Sequence, residues 1–164
     1  MIFAQKPPMG WNAWNYFGYA DINEQVVRET ADAMVEKGFR DAGYNIVQVD
    51  DAWLLQKRDE NGDLQPNPER FPSGMKALGD YIHERGMKFG LYAGAGVMTY
   101  ANCCGSYGHE RHDAATFAKW GVDVLKYLRF YEKYPQIEYL MKAGLDGYAF
   151  SKQILQEIGK NKRF

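Results

Sequence analysis

Three stretches of the chain share one pattern, in which apolar residues recur at helical spacing, a glycine follows, and a short aliphatic run comes next. The predicted helices are Asn23–Lys37, Gly74–Arg85 and Asp113–Trp120. The runs behind them predict strands over Tyr44–Val49, Lys88–Tyr92 and Val122–Tyr127, and an earlier extended run predicts another over Met9–Trp14. The pattern therefore predicts four strands separated by helices.

Strands that alternate with helices imply βαβ units and a parallel sheet, so the predicted fold class is α/β. Such a sheet is either open and doubly wound or closed into a TIM (β/α)8 barrel. A complete barrel takes about 250 residues, so four units correspond to about half of one. In both architectures ligands bind at the carboxyl ends of the strands.

Beyond Tyr127 the pattern changes, because no further strand is evident. Two segments, Pro135–Gly144 and Tyr148–Gly159, place apolar residues at helical spacing. The sequence predicts a half-barrel domain over residues 1–127, followed by a helical C-terminal tail over residues 128–164. We expect the tail to pack on the same domain and to cover an otherwise exposed sheet edge.

Charge and composition narrow the classes of partner. The 164 residues carry a formal net charge of −1, which argues against nucleic acid or an anionic membrane. No basic leader or long apolar run is evident, so we expect a soluble, cytoplasmic chain. Cys103 and Cys104 are adjacent and are predicted to be free loop thiols, with a vicinal disulfide or a metal site as the alternatives.

Polar and aromatic residues follow each predicted strand. Two adjacent carboxylates, Asp50 and Asp51, come directly after the second strand. Adjacent carboxylates repel, and this cost is tolerated most readily where a ligand uses both. Neighbouring hydroxyls of a sugar suit such a pair, because each carboxylate accepts charge-assisted hydrogen bonds. The alternative is that one aspartate caps a turn while the other is solvated.

Three other motifs fall short of metal or nucleotide sites. Asp59–Asp63 begins like a calcium loop but lacks the glycine and the later glutamate, so a turn around Asn61–Gly62 is favoured. His109–His112 is one residue short of the zinc-protease spacing and predicts a helix start. Gly94–Gly96 lacks the third glycine of a dinucleotide loop and predicts a tight turn. We expect neither a metal nor a cofactor.

Several segments carry a family resemblance, and they occur in a fixed order over about residues 7–127. They are Pro8–Asn12, Asp50–Trp53, Arg58–Gly62, Arg70–Gly74 and Gly105–Gly108. Together they resemble glycoside hydrolase family 27 α-galactosidases. The resemblance implies a barrel domain for carbohydrate metabolism that hydrolyses terminal α-galactosides with retention and without metal. Some relatives prefer α-N-acetylgalactosaminides or β-arabinopyranosides.

The resemblance also implies which residues bind substrate. The positions that match the galactose pocket of the family are Trp11, Asp50, Asp51, Tyr92 and Lys126. We therefore expect a small galactose-like sugar as the partner.

The catalytic pattern breaks at Leu128. Retaining hydrolysis needs two carboxyl groups about 5–5.5 Å apart, and the family nucleophile is the aspartate directly after the lysine and tyrosine that match Lys126 and Tyr127. Here that position is Leu128, and the acid/base of the family comes from the second half of its barrel. Gly94 stands where the family usually has an aspartate, and Ala52 where many members have a half-cystine.

Three hypotheses remain open at the level of sequence. The first is a glycosidase-derived chain that is not catalytic alone and binds galactose-like sugars weakly. The second is a structural half barrel without ligand, and one form of it is a homodimer in which two copies supply eight strands. The third is a working glycosidase with a substitute nucleophile such as Glu132, which would require a rebuilt loop.

Overall fold

The computed structural model describes residues 7–128, and these form one parallel sheet covered by helices. The strands are β1 (Gly10–Asn12), β2 (Ile46–Val49), β3 (Lys88–Gly94) and β4 (Val124–Leu128). They lie in the order β1-β2-β3-β4, and every neighbouring pair is parallel. The predicted α/β class and the four-strand parallel sheet are confirmed. The predicted tail helices lie outside the described residues.

The helices are α1 (Trp14–Asp21), α2 (Glu24–Glu36), α3 (Gly74–Glu84) and α4 (Glu110–Lys119). Helices α2 and α3 match their predictions closely, because clear end signals bound them. Asn23 is the N-cap of α2, and its side chain accepts a hydrogen bond from the Val26 amide at 3.0 Å. Past the helix ends, Gly86 has the positive φ of a helix-terminating glycine.

Two predictions at element boundaries were wrong. The first strand ends at Asn12, and Trp14 begins α1, which the sequence reading missed. Helix α1 has no buried residue, and Gly18 interrupts it with φ +54° and ψ −149°, so it lacks the apolar stripe that reveals a helix. Helix α4 begins at Glu110, three residues before the start predicted from the apolar pattern. His109 occupies the N-cap position, so the helix start predicted for His109–His112 is confirmed.

The face of the sheet that carries the helices is called the helix face. Its strand residues contribute to one apolar cluster with α2 and α3, and they are Val47, Val49, Phe89, Leu91 and Ala93. Trp11, Leu125 and Tyr127 pack against the same cluster. From the helices, Val27, Ala31, Leu78 and Ile82 complete the contact, and each is fully buried. Burial of these side chains supplies the main driving force for folding.

The opposite side of the sheet is called the polar face. Because strand side chains alternate between faces, it carries Asn12, Gln48, Asp50, Tyr92, Lys126 and Leu128. Gly90 leaves room there for Gln48, since a Cβ at position 90 would lie 2.4 Å from Gln48 Oε1. The polar face thus carries the polar and charged side chains of the strands, and the helix face contributes to the hydrophobic core.

A buried ion pair ties the long connections to α4. Arg58 donates to both carboxylate oxygens of Asp113, at 2.6 and 2.8 Å, and also to the carbonyls of Gly62 and Gly105. The Asp113 side chain is fully buried. The guanidinium contacts of this pair join the loops around Gly62 and Gly105 to α4, so the pair holds these loops in place.

The predicted turn at Asn61–Gly62 is confirmed. The Gly62 amide donates to the Asp59 carbonyl at 3.1 Å, and Gly62 has φ +82°. Within residues 7–128 no group of three or more His, Cys, Asp or Glu side chains could hold a metal ion. None of the helices in this part of the chain has the length and apolar character to cross a bilayer.

Candidate functional site

Three of the residues predicted for the site meet at the carboxyl edge of the sheet. Asp50 follows β2 directly, and Lys126 on β4 donates from Nζ to Asp50 Oδ2 at 2.6 Å. The same Nζ lies 5.7 Å from the centroid of the Tyr92 ring on β3. Three neighbouring strands therefore contribute one carboxylate, one ammonium group and one phenol to a single location, as expected where parallel strands end together.

Asn12 belongs to this group and was missed by the sequence reading. Its Nδ2 donates to Asp50 Oδ2 at 2.7 Å, and its Oδ1 accepts from the Trp14 amide at 2.9 Å. Asp50 is thus held by side chains from β1 and β4, and it is only 3% exposed. The available signal was the alternation along β1, which places Asn12 and Trp11 on opposite faces.

The structure does not bring Trp11 to this group. Trp11 pairs in register with Val47 and packs against the apolar cluster, with its ring 6.0 Å from that of Phe17. It lines a separate apolar groove of about 400 Å³ beside α2, formed with Phe17, Met34 and Phe39 among others. Trp11 therefore lies on the helix face, away from Asp50 and Lys126.

Trp14 is the aromatic residue at the carboxyl edge. It follows β1, and its ring contacts that of Tyr100 edge to face, with centroids 5.9 Å apart and an interplanar angle of 81°. Tyr100 lies in the loop after β3. The pair joins the start of α1 to the loop that follows β3, and so places two aromatic rings at this edge of the sheet.

Asp51 is buried next to Asp50, and its carboxylate accepts hydrogen bonds from main-chain amides of the protein. Its Oδ1 accepts from the Ala52 amide at 2.7 Å, and its Oδ2 accepts from the Ala101 amide at 2.8 Å. Burial raises the pKa of the Asp51 carboxyl, against the lowering effect of hydrogen bonds from Ala101, Thr99 and Ala52. Asp50 also accepts a local main-chain amide, because its Oδ1 accepts from the Asp51 amide at 2.9 Å. Both aspartates therefore cap main chain, and the alternative in which one of them is solvated is wrong.

Tyr92 places its ring beside Lys126, and its hydroxyl is buried. The hydroxyl is buried and makes no hydrogen bond of normal geometry with the described residues. Burial and the charge of Asp51 raise the pKa of Tyr92, offset in part by the Tyr100 main chain. A buried hydroxyl without a partner costs free energy, which a bound polar ligand would recover.

Leu128 lies at the end of β4, two residues after Lys126 and on the same face. It pairs in register with Gly94, its carbonyl accepts from the Ala95 amide at 2.8 Å, and its side chain is 37% exposed. A leucine at this position offers neither a nucleophile nor a proton donor to the site. Glu132, the substitute nucleophile considered above, lies outside the described residues.

Cys103 and Cys104 are free thiols in the loop after β3, as predicted. Cys103 is 5% exposed, and burial raises the pKa of its thiol to about 11. A thiol with so high a pKa is mostly protonated near neutral pH and is a poor nucleophile. Cys103 therefore does not add a reactive group to the site.

The sequence matches one protein family over almost its whole length. The family described as Alpha galactosidase A matches residues 6–163. An α-galactosidase from Cyamopsis tetragonoloba is 56% identical over 124 residues, which are 75% of this chain and 30% of that protein. The chain therefore spans about a third of the length of the curated relatives that it matches.

Solved structures of similar proteins show the same architecture. α-Galactosidase I from Mortierella vinacea superposes with a TM-score of 0.80 at 37% identity, over 96% of this chain and 38% of that one. The α-galactosidase from Saccharomyces cerevisiae, solved with raffinose, gives 0.80 at 36% identity, over 96% of this chain and 33% of that one. The four-strand sheet corresponds to part of the TIM barrel of these enzymes.

Proposed function

The chain belongs to the Alpha galactosidase A family, and we propose that it binds a galactose-like sugar without hydrolysing glycosides by itself. The observation that carries the proposal is the group formed by Asp50, Tyr92 and Lys126 at the carboxyl edge. A carboxylate, an ammonium group and a hydroxyl without a partner match the alternating acceptors and donors of a sugar.

The sugar lies, in this proposal, against Asp50 and Lys126. Asp50 accepts hydrogen bonds from sugar hydroxyls, Lys126 donates to sugar oxygens, and the Tyr92 hydroxyl gains a partner. Trp14 takes the place in the pocket that the resemblance implied for Trp11, because Trp14 lies at the edge and Trp11 packs on the helix face. Asp51 lies beside these groups.

The lack of hydrolysis follows from Leu128. Double displacement requires a carboxylate to attack the anomeric carbon and a second carboxyl group to donate and then accept a proton. The residue after Lys126 and Tyr127, where the family resemblance places the nucleophile, has an aliphatic side chain. We expect no release of nitrophenol from a nitrophenyl α-galactoside above the rate in buffer.

Binding can be tested by ligand-observed NMR with galactose up to about 50 mM, a range suited to affinities near the millimolar level. We expect galactose to bind, and Asp50→Asn to abolish the signal because the carboxylate that receives the hydroxyls is lost. Asp80→Asn on α3 is the matched control, since it makes the same charge change at an exposed carboxylate that pairs with Lys76.

Glucose, which differs from galactose only at C4, tests whether binding depends on the sugar. Equal signals for the two sugars, or none for galactose, would refute the proposal. Turnover of the nitrophenyl galactoside would refute its second half.

A second proposal concerns self-association. Within residues 7–128 both β1 and β4 are edge strands of an unclosed sheet, and an open parallel edge can pair with another strand. We propose a homodimer in which two copies together supply eight strands. Sedimentation equilibrium over a wide concentration range is the test, and a monomer that does not respond to concentration rejects the dimer.

A further inference from the structure

The polar face of the sheet ends in an apolar row between β3 and β4. On this face Tyr92 pairs in register with Lys126, and the next row toward the carboxyl edge pairs Gly94 with Leu128. The first row contributes a phenol and an ammonium group, whereas the second contributes one aliphatic side chain. Two residues of a strand span about 6.6 Å, so Leu128 lies beyond Lys126 by a distance comparable to the width of one sugar ring.

Main-chain contacts fix the position of Leu128. Its carbonyl accepts from the Ala95 amide at 2.8 Å, and its backbone pairs with that of Gly94. A Cβ at position 94 would lie 3.2 Å from Thr99 Cγ2, so a methyl group lies against Gly94 at this point, and Thr99 itself is buried. The partly exposed Leu128 side chain is therefore the group that this row offers to a ligand.

The surroundings of Leu128 distinguish it from an ordinary exposed leucine. Single apolar residues on a protein surface need no explanation, but ligand sites combine apolar surface with a few polar groups. Leu128 lies one row from the polar group of the proposed sugar site and on the same face. The loop that begins beside it at Ala95 also exposes Val97 and Tyr107, which adds apolar surface at this edge.

We propose that Leu128 forms an apolar subsite beside the sugar site, and that the preferred ligand is a galactoside whose anomeric substituent is an apolar group. This inference rests on the proposed function and deepens it, because it names the chemical class of the ligand. The sugar hydroxyls bind Asp50 and Lys126, and the apolar substituent covers Leu128. Covering this side chain removes apolar surface from water, which favours binding.

A matched series of ligands measures the subsite. Methyl and phenyl galactoside carry the same sugar and differ only in the substituent at C1. If the phenyl group buries on the order of 50 Å² more apolar surface, it should bind about fivefold to tenfold more tightly than the methyl group. NMR titration of both anomers gives the affinities. A gain of this size in either anomer supports the subsite, and equal affinities in both anomers would overturn it.

A cyclohexyl galactoside separates Leu128 from the aromatic pair at the same edge. A phenyl group can instead stack on the rings of Trp14 and Tyr100. Cyclohexyl offers a similar apolar area without an aromatic face, so contact with Leu128 predicts a similar gain over methyl. A gain that is confined to phenyl would assign the contact to the aromatic pair and overturn the proposal.

Variants of Leu128 test the residue itself. Leu128→Asn replaces the side chain by a polar one of similar size, and we expect it to bring the phenyl galactoside to the affinity of the methyl galactoside. Methyl galactoside should stay within about twofold of its parental affinity. Leu128→Met keeps an apolar side chain of similar volume and should keep the preference. Equal weakening of both ligands in Leu128→Asn would show that Leu128 supports the structure of the site and forms no subsite.

Met9→Asn is the matched control, because Met9 is 38% exposed and Leu128 is 37% exposed. Met9 precedes β1 and so lies at the opposite, amino edge of the sheet. We expect this variant to keep the preference for the phenyl galactoside, and a loss as large as that in Leu128→Asn would contradict the proposal. Leu128→Ala, which only shortens the side chain, gives the same test if Leu128→Asn does not fold.

The ligand series also separates this inference from the proposed function. If galactose and methyl galactoside bind but phenyl and cyclohexyl galactosides bind no better, the subsite is wrong and the proposed function stands. If galactose and methyl galactoside do not bind, the proposed function fails. Phenyl galactoside then decides the subsite alone, since binding that Leu128→Asn removes supports it and the absence of binding overturns it.

Discussion

The helix face of the sheet is apolar and packed against α2 and α3, whereas the polar face carries a carboxylate, an ammonium group and an unused hydroxyl at its carboxyl edge. The two faces alternate residue by residue along the same strands. Phe89 and Leu91 contribute to the core, and Tyr92 on the same strand points to the site. Substitutions on the helix face are therefore expected to change the stability of the fold, and substitutions on the polar face are expected to change ligand binding.

The largest effect on the free energy of unfolding is expected on the helix face. Phe89→Ala removes a fully buried ring from the apolar cluster, and such a truncation costs about 3–5 kcal/mol through lost burial and the cavity left behind. Urea unfolding of the variant and the parent measures the difference. A cost below about 1 kcal/mol would mean that the helix face is not the main source of stability.

An intermediate effect on the free energy of unfolding is expected at Glu24, a buried carboxylate in the helix layer. It accepts hydrogen bonds from the amide and hydroxyl of Ser73 at 3.0 and 2.6 Å, and from Arg28 at 2.7 Å. We expect Glu24→Gln to cost about 1–3 kcal/mol near neutral pH. Asp50→Asn on the polar face should cost less, because it also removes repulsion with Asp51.

The Glu24 effect should depend on pH. Burial raises the pKa of the Glu24 carboxyl, but hydrogen bonds from Ser73 and Arg28 outweigh it and bring the pKa below its ordinary value of 4.5. A carboxyl with a lowered pKa stabilises the fold above its unfolded pKa, and this is lost as pH falls through the folded pKa. The difference between parent and variant should therefore shrink below pH 4.5, and a constant difference in unfolding from neutral to acid pH contradicts this.

The smallest effect on stability is expected at the end of β4. Leu128 is 37% exposed, so Leu128→Asp should change the free energy of unfolding by less than about 0.5 kcal/mol. Leu91→Asp is the matched control on the helix face, where a buried unpaired charge should prevent folding.

Leu128→Asp also tests whether the chain can hydrolyse a glycoside when a carboxylate occupies position 128. One restored carboxylate does not complete a two-carboxyl mechanism, so hydrolysis of a nitrophenyl α-galactoside should stay at the rate in buffer. Turnover in this variant would show that Leu128 alone prevents catalysis.

The sequence predicted the helix face better than the polar face, and the reason is physical. An apolar stripe with a cap at Asn23 defines α2, because burial and capping are local signals. The weakly amphipathic α1 has no such stripe, so it was missed. Asp50 and Asp51 were found because strand ends are known places for ligands.

The finer arrangement of the site depended on contacts that no local pattern reveals. Whether Trp11 or Asn12 faces the site depends on the register of β1 against β2, and a shift of one residue would exchange them. The attachment of Asp51 to the Ala101 amide depends on a turn fifty residues away in the chain. Such long-range main-chain contacts do not follow from residue type or spacing.

The order of the strands has a consequence for how the protein is made. After β1, each strand of the described sheet pairs with the strand synthesised just before it, so its partner is already present in the nascent chain. Every βα unit can dock while the ribosome is still adding residues, and no strand has to wait for a distant segment. By the time β4 leaves the exit tunnel, all the pairings of this sheet are available to the growing chain.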